Sequence, residues 1–538
     1  MSFFKNLASY RFRWISLIFI AMSLAIVIID NNVLNVAIPY ILKDLNASLD
    51  GIQWVISGYA LIISTLLITA GRLGDMFGRK KIFRIGVIFF AIGSFIASIS
   101  PNITILFLGE ALIEAIGAAM MLTSSLSLLA GEFRGKERAI AFGIWGSVAG
   151  ASAALGPLLG GYLTSYYSWR WSLRINVIVA VVAIIGSVFI MESREDKDKT
   201  FDWLGALFSG LGLFSLIFGF IEGQKFGWWV PNETFSVFGI SWPFPNISVI
   251  PFFLFASIVF LVLFIWNERR VERLGKMPHL RLSSFKNKNF SIGLATLGIL
   301  ALGQFGTFFI MPIYLQNVLD LDAFHTGLVV VSTAISIMIF GPFAGFLSSK
   351  IGPKWVVTTG MFILTFGAFL VMETLSVDVS PWSFVAPLAI LGIGIGLTSS
   401  QLTNTVISSL PHELAGEASA ANATIRQIGT SIGVAIIGSV LAVSLTFNIQ
   451  AKINNDKLIP QSLKPRLVST MKNVSVERGV KQLKEFQNTQ FKAIESSVTN
   501  DVRESIVNSS KDALKFAILF ILSGALLSIL IPKTKHRS

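Results

Sequence analysis

Five charged side chains sit inside long apolar stretches, where charge is expensive and therefore purposeful: Asp30, Glu110, Glu114, Arg174 and Arg426. A carboxylate surrounded by hydrocarbon must take up a proton, bind a cation or find a fixed donor. At about 1.5 Å of rise per helical residue, Asp30 lies roughly 14 Å from the outer end of its stretch at Pro39. Glu114 lies roughly 15 Å from the outer end of its own, and Glu110 about 9 Å. Asp30 and Glu114 are thus expected at one level near the midplane. Both are candidates for proton exchange or for recognition of a cationic substrate, with a buried structural hydrogen bond as the plainer alternative. Glu110 shares a helix face with Glu114, one turn away, but is near enough to the end to face water. Arg426 lies roughly 14 Å inside its stretch, too deep to reach the headgroups comfortably, so it lines a cavity, pairs across helices or braces the structure. Arg174 lies barely a turn inside and either snorkels outward or pairs with Glu110.

The elements that hold these residues follow from composition. Of 538 residues, 53% are hydrophobic and only 14% charged, with a mean hydropathy of +0.71. A soluble surface needs far more charge, about 25% in an average globular protein. Soluble enzymes, disordered scaffolds and secreted disulfide domains are excluded, and an all-α polytopic membrane protein is expected. Fourteen spans are predicted, near 15–39, 53–71, 82–100, 104–130, 139–163, 171–191, 203–221, 247–266, 290–314, 326–347, 355–373, 383–407, 417–444 and 513–532. They are too long and too continuous for membrane strands, and lipid forces backbone groups to pair within each segment. The first span follows Lys5, Arg11 and Arg13 as a signal peptide would, but continues without a cleavage site and reads as retained.

With the N-terminus in the cytoplasm, inner segments hold 26 Lys plus Arg and the short outer loops three, Lys43, Arg170 and Lys225. That asymmetry places both termini in the cytoplasm and accounts for most of the net charge of +13 as a topology signal, so no nucleic-acid partner is expected. The long outer segment 445–512 breaks the pattern, with 11 basic and seven acidic residues. Apolar residues at helical spacing around Val474–Phe491 and Ala493–Val507 predict an external helical hairpin there, an unstructured loop being the alternative. Trp228, Trp229 and Trp242 fall in another outer loop, where interfacial aromatic belts occur.

No metal site and no cofactor are expected. The chain has no Cys, and its four His (His279, His325, His412 and His536) are scattered. No nucleophile, base and metal set clusters, so no catalytic residues are assigned. Gly392, Gly394 and Gly396 lie within a span and follow no strand, so they read as helix packing, and no Walker A sequence marks ATP as an energy source.

An internal repeat is visible. The stretch Gly71–Lys80 matches Gly345–Lys354 at four positions in one register, and both follow a span. Two parallel six-helix halves are expected, spans 1–6 and 9–14, with spans 7 and 8 inserted. The corresponding regions are 1–192, 193–289 and 290–538, the last containing the outer segment 445–512.

The motif Gly71-x-Leu73-x-Asp75-x-x-Gly78-Arg79-Lys80-Lys81 resembles the major facilitator superfamily signature between its second and third helices. In such a motif the glycines permit a tight turn. Asp75 forms a cytoplasmic latch, to a helix N-terminus or to a nearby Arg such as Arg138. Gly156-Pro157-x-x-Gly160-Gly161 in span 5 is similar to the antiporter signature of drug-exporting facilitators. Further matches run nearly end to end: Asp30 to Pro39, Gln53-Trp54, Trp169-Arg170-Trp171 with Asn176, Phe201-Asp202-x-x-Gly205, Pro312-x-Tyr314-Leu315-Gln316 and Arg426-Gln427-x-Gly429. Together they resemble the fourteen-helix drug:proton antiporter family, the QacA/EmrB-like group. Span 4 departs from that family, with Ala111 where Arg is expected and Glu114 where Gln is expected, so the Arg relay role does not carry over.

The resemblance implies a monomeric, multi-pass transporter in the plasma membrane that admits protons to drive export of hydrophobic, cationic compounds. A transporter of a lipid, siderophore or other metabolite on the same scaffold is the first rival. A non-transporting receptor that uses segment 445–512 is the second.

Overall fold

The computed structural model describes residues 2–192, 201–237, 240–455, 461, 464 and 495–532. The apolar stretches are helices, as hydrocarbon requires of any segment that must satisfy its own backbone. The first six are α1 (Ser2–Asp44), α2 (Leu49–Phe77), α3 (Arg79–Ser98), α4 (Ile103–Glu132), α5 (Gly135–Tyr166) and α6 (Trp169–Gly186). Two more follow, α7 (Trp203–Ile221) and α8 (Ile250–Arg273). The last six are α9 (Lys288–Asn317), α10 (Ala323–Ile351), α11 (Pro353–Thr374), α12 (Val385–Ser408), α13 (Ala415–Asn455) and α14 (Glu495–Ser528).

Packing repeats eight helices apart. Helix α3 lies against α4 and α6, as α11 lies against α12 and α14. Likewise α1 packs on α5 and α6, and α9 on α13 and α14. Two seams join the bundles, α5 with α10 and α2 with α13, and each is the other's counterpart. Helices α7 and α8 pair with each other beside the α2–α13 seam. Helix α8 turns Phe252, Phe255, Ile258 and Val262 outward, as a lipid-facing helix does.

Among the described residues twelve helices are long and apolar enough to cross a membrane, and thirteen if the bent fifth span is included. The bend is 40° between Gly135–Ala153 and Leu158–Thr164. Helix α14, where the fourteenth crossing is expected, is not among the twelve; Lys511, Asp512 and Lys515 precede its apolar stretch.

The expected outer hairpin is drawn differently. The stretch around Val474–Phe491 lies outside the described residues. On either side, spans 13 and 14 continue as unbroken helix, α13 to Asn455 and α14 from Glu495. Ile449 and Ile453 of one join Val498, Val502 and Ile506 of the other in the core of the second bundle. Residues 495–507 therefore belong to the last helix and not to a separate hairpin.

Candidate transport site

The carboxylates converge. One oxygen each from Asp30, Glu110 and Glu114 lie within 4.8 Å of one another, and all three side chains are buried. Two local features bring them together. Residues Phe107–Glu114 of α4 are wound as a π-helix, a wider turn that holds Glu110 and Glu114 on one side. Helix α3 comes close enough to press on that turn because Gly93 has no side chain; a Cβ there would stand 2.4 Å from the Glu114 nitrogen. Asn176 of α6 donates to Asp30 Oδ1, and also to Ser94 at 3.4 Å. Asp30 Oδ2, Glu110 Oε2 and both Glu114 oxygens have no hydrogen-bond partner. Glu110 thus joins the cluster and does not face water.

Between the bundles lies a cavity of about 1450 Å³. Its rim includes Tyr162, Tyr166, Asp322 and His325, and its depth reaches Leu67, Leu126, Ser400 and Asn422. It opens on the face opposite the Gly71–Lys81 turn. None of the three clustered acids lies on its wall. Tyr59 does; its buried hydroxyl has no hydrogen-bond partner and stands within electrostatic range of all three. Arg426 lines the cavity beside Gln427 and has no ion-pair partner among the described residues, so cross-helix pairing gives way to a cavity position. Arg174 does not pair with Glu110: its guanidinium lies over the Trp171 ring, 5.2 Å from the centroid, with no ion pair among the described residues. Helix α6 rotates Asn176 inward, which leaves Arg174 at the periphery.

The small residues of α5 do what their size permits. A Cβ on Gly156 would meet Asn32 Cβ at 2.5 Å, and one on Gly160 would meet Val33 at 3.1 Å, so both sit tightly against α1. Gly161 borders the cavity with nothing within 4 Å. Lower on the same helix, Ser147 donates to Ile337 O of α10 at 3.1 Å, across the seam.

The face carrying the Gly71–Lys81 turn is closed. Gly78 has φ +105°, a backbone conformation that favours glycine, and its counterpart Gly352 has φ +85°. Arg79, 1% exposed, pairs with Asp75 at 3.0 Å. The Asp75 carboxylate also abuts the first turn of α13, so close that a Cβ on Gly416 would overlap it. A helix N-terminus attracts such a charge. Arg138 lies over the Phe142 ring at 5.9 Å. Lys80 donates its N–H to Glu192 at 3.2 Å and its Nζ to the Val188 carbonyl at 3.3 Å, tying the turn to the end of α6. Above this floor, Leu126, Leu129 and Phe133 of the first bundle share one core with Phe290, Leu294, Val406 and Ala418 of the second.

Two pseudo-repeated bundles, one face shut and a cavity open at the other, define a secondary membrane transporter. The sequence matches the Major Facilitator Superfamily over residues 20–276 and 203–434, and the chain belongs to that superfamily. It is 28% identical over 461 residues to the multidrug resistance protein Stp of Mycobacterium tuberculosis (strain CDC 1551 / Oshkosh), covering 85% of this chain and 81% of Stp. It is 29% identical over 431 residues to the tetracenomycin C resistance and export protein of Streptomyces glaucescens (80% of this chain, 76% of that protein). The puromycin resistance protein pur8 of Streptomyces alboniger is 30% identical over 434 residues (80% and 82%). Among solved structures, the fold resembles the human organic anion transporter MFSD10 at a TM-score of 0.55, with 10% identity and 97% and 99% coverage. The proton:xylose symporter XylE gives 0.56, with 11% identity and 98% and 97% coverage. The chain is a multi-pass membrane transporter.

Tyr59 and the inward setting of Glu110 escape a sequence reading of spans. A tyrosine hydroxyl midway along an apolar helix is the one signal that points to the first.

Proposed function

We propose that this transporter exports hydrophobic compounds in exchange for protons. The observation that carries the reading is the cluster of Asp30, Glu110 and Glu114, buried beside Tyr59, which itself lines the cavity. Two ionised carboxylates about 4 Å apart repel by roughly 4 kcal/mol at an effective dielectric of 20. Three such groups without fixed cations must hold protons or a bound cation. In the outward-open state they load from outside; in the inward-open state they discharge. A proton moving down about 100 mV supplies about 2.3 kcal/mol, and each pH unit adds about 1.4 kcal/mol. One proton therefore sustains a hundredfold gradient of an uncharged compound.

In this reading the chain crosses the membrane fourteen times as a monomer with both termini cytoplasmic. Its regions are 1–192, 193–289 and 290–538, and the closed face is the cytoplasmic one. Drug export is supported by the resistance proteins to which the chain is similar. The acid cluster favours lipophilic cations. A second reading of the substrate rests on Arg426, a cation on the cavity wall without an ion-pair partner among the described residues, which favours neutral or anionic compounds rich in acceptor oxygens.

Everted vesicles test both. Dye-reported proton movement is followed as lipophilic cations, then lipophilic anions, are added to wild type, Asp30→Asn and Glu114→Gln. Substrate-triggered proton movement that disappears in either variant supports antiport. Undiminished coupling with both carboxylates neutralised overturns it, and a response to anions alone selects the second substrate reading.

A further inference from the structure

Beyond the transport path, the closed face holds a second convergence of ligand-bearing side chains. Asp202 caps the start of α7: its Oδ1 accepts from the Gly205 N–H at 3.0 Å and its Oδ2 from Asn267 Nδ2 at 2.6 Å. Glu268, near the end of α8, is fully buried; its Oε2 accepts from the Leu280 N–H at 3.0 Å, while Oε1 has no partner. His279, on the connector from α8 to α9, is 3% exposed, and neither ring nitrogen has a hydrogen-bond partner. The ring sits edge-on to Phe201, 5.0 Å between centroids. One donor atom from each of Asp202, Glu268 and His279 lies within 4.8 Å of the other two.

We infer that Asp202, Glu268 and His279 form a binding site for a divalent transition cation of the zinc class. The donor atoms are close to where such an ion needs them. Zinc binds imidazole nitrogen and carboxylate oxygen at about 2.0–2.2 Å, so donors around one ion stand up to roughly 4 Å apart. Sub-ångström side-chain movement closes the difference. Two carboxylates balance a double positive charge, and an imidazole in the set favours zinc, cobalt or nickel over calcium and magnesium, which prefer all-oxygen shells. Two orphaned groups support the assignment independently of the clustering. A buried imidazole with both nitrogens unsatisfied is a rare arrangement, as is a buried carboxylate oxygen without a donor, and one ion satisfies both groups. Space is kept by Gly205, where a Cβ would stand 2.5 Å from Asp202 Oδ2 and 2.6 Å from Glu268 Oε1. Asn267 on Asp202 and the Leu280 N–H on Glu268 orient the two carboxylates from behind, as outer partners do in metal sites.

The site's position gives it a structural consequence. It joins both inserted helices to the connector, and two residues further on Arg281 donates its N–H to Glu417 at 2.9 Å in the first turns of α13. His279, Arg281 and Glu417 also border a small cavity of about 380 Å³ with Arg72 and Asp75 of the gate turn. A bound ion fastens the inserted pair to the half of the gate that α13 supplies.

The test is a titration of the purified, tag-free full chain in detergent with Co²⁺, read by its ligand-field absorption, and with Zn²⁺ by competition. One equivalent per chain is expected. His279→Asn and the nearly isosteric Glu268→Gln should each weaken it at least about tenfold. Glu114→Gln, which alters the other acid cluster, and His325→Asn, at the exposed rim, should leave the spectrum unchanged. If His279→Asn does not fold, Glu268→Gln is judged by the same criterion. No binding by wild type, or binding undiminished in a folded Glu268→Gln or His279→Asn, overturns the assignment. So does a signal lost in Glu114→Gln, which would place the ion at the transport cluster.

Discussion

The two bundles share a packing plan helix for helix but not a distribution of charge. The first encloses Asp30, Glu110 and Glu114 between α1, α3, α4 and α6, away from the cavity wall. The second encloses no such cluster among the described residues and instead presents Arg426 to the cavity. The gate turns differ in the same way. Gly78 and Gly352 take matching backbone conformations, yet Asp75 is buried against Arg79 and α13, whereas Ser349, at the equivalent position, donates to the Phe346 carbonyl at 2.7 Å. Duplication thus supplies the hinge geometry twice, and substitution leaves a buried carboxylate cluster in one half and a cavity cation in the other.

Neutralising the whole acid cluster attacks that division most directly. Asp30→Asn, Glu110→Gln and Glu114→Gln combined should reduce substrate-triggered proton movement to background while the protein still folds; residual coupling would mean that the second bundle carries protons as well. Next comes Arg426→Met, which removes a charge-assisted contact worth about 1.5–3 kcal/mol. Binding of an acceptor-rich or anionic compound should weaken by about ten- to a hundredfold, with lipophilic cations bound equally or better, as direct binding measurements can read.

The gate turns offer a matched pair of smaller effects. Gly71→Val and Gly345→Val each insert a side chain where even a Cβ would stand 2.6 Å from Ala420 Cβ or from the Ala139 carbonyl oxygen, respectively. Overpacking of this kind costs about 1–3 kcal/mol, and both should shift the population away from the closed face. Because the chain lacks Cys, a single cysteine at the buried Ala418 reports the shift as faster labelling. A response from Gly71→Val alone would show that the two seams do not open together. Asp75→Asn should favour opening by about 1–2 kcal/mol, since it leaves the Arg79 guanidinium buried without its carboxylate. The smallest effect is expected for Ser349→Asp, within about 0.5 kcal/mol, because that position is partly solvated.

Much of this was legible in the sequence, and the rest was not for identifiable reasons. Apolar length marks the helices, because hydrocarbon thickness sets it. The same criterion stops α13 near 444, where the chain turns amphipathic but continues helical to Asn455 by packing on α14. Depth along a helix placed Asp30 and Glu114 at one level. Which way a helix face turns is invisible to such counting, so the burial of Glu110 and the outward setting of Arg174 emerge only in three dimensions. Asp202 lies far from Glu268 and His279 in the chain, and the pairing of α7 with α8, with the connector folded back on Glu268, makes them neighbours. A search for clustered histidines overlooks a site that needs just one.

The unbroken run of α13 has a mechanical side. Its 41 residues begin at the closed gate, border the cavity and end beyond the opposite face, a rod of roughly 60 Å at 1.5 Å per residue. Such a rod is a lever: each degree of tilt about its gate end swings the far tip by about 1 Å. If the second bundle rocks during transport, the motion is magnified at that tip, where a rigid binder clamped to α13 and α14 is expected to arrest the cycle without entering the cavity.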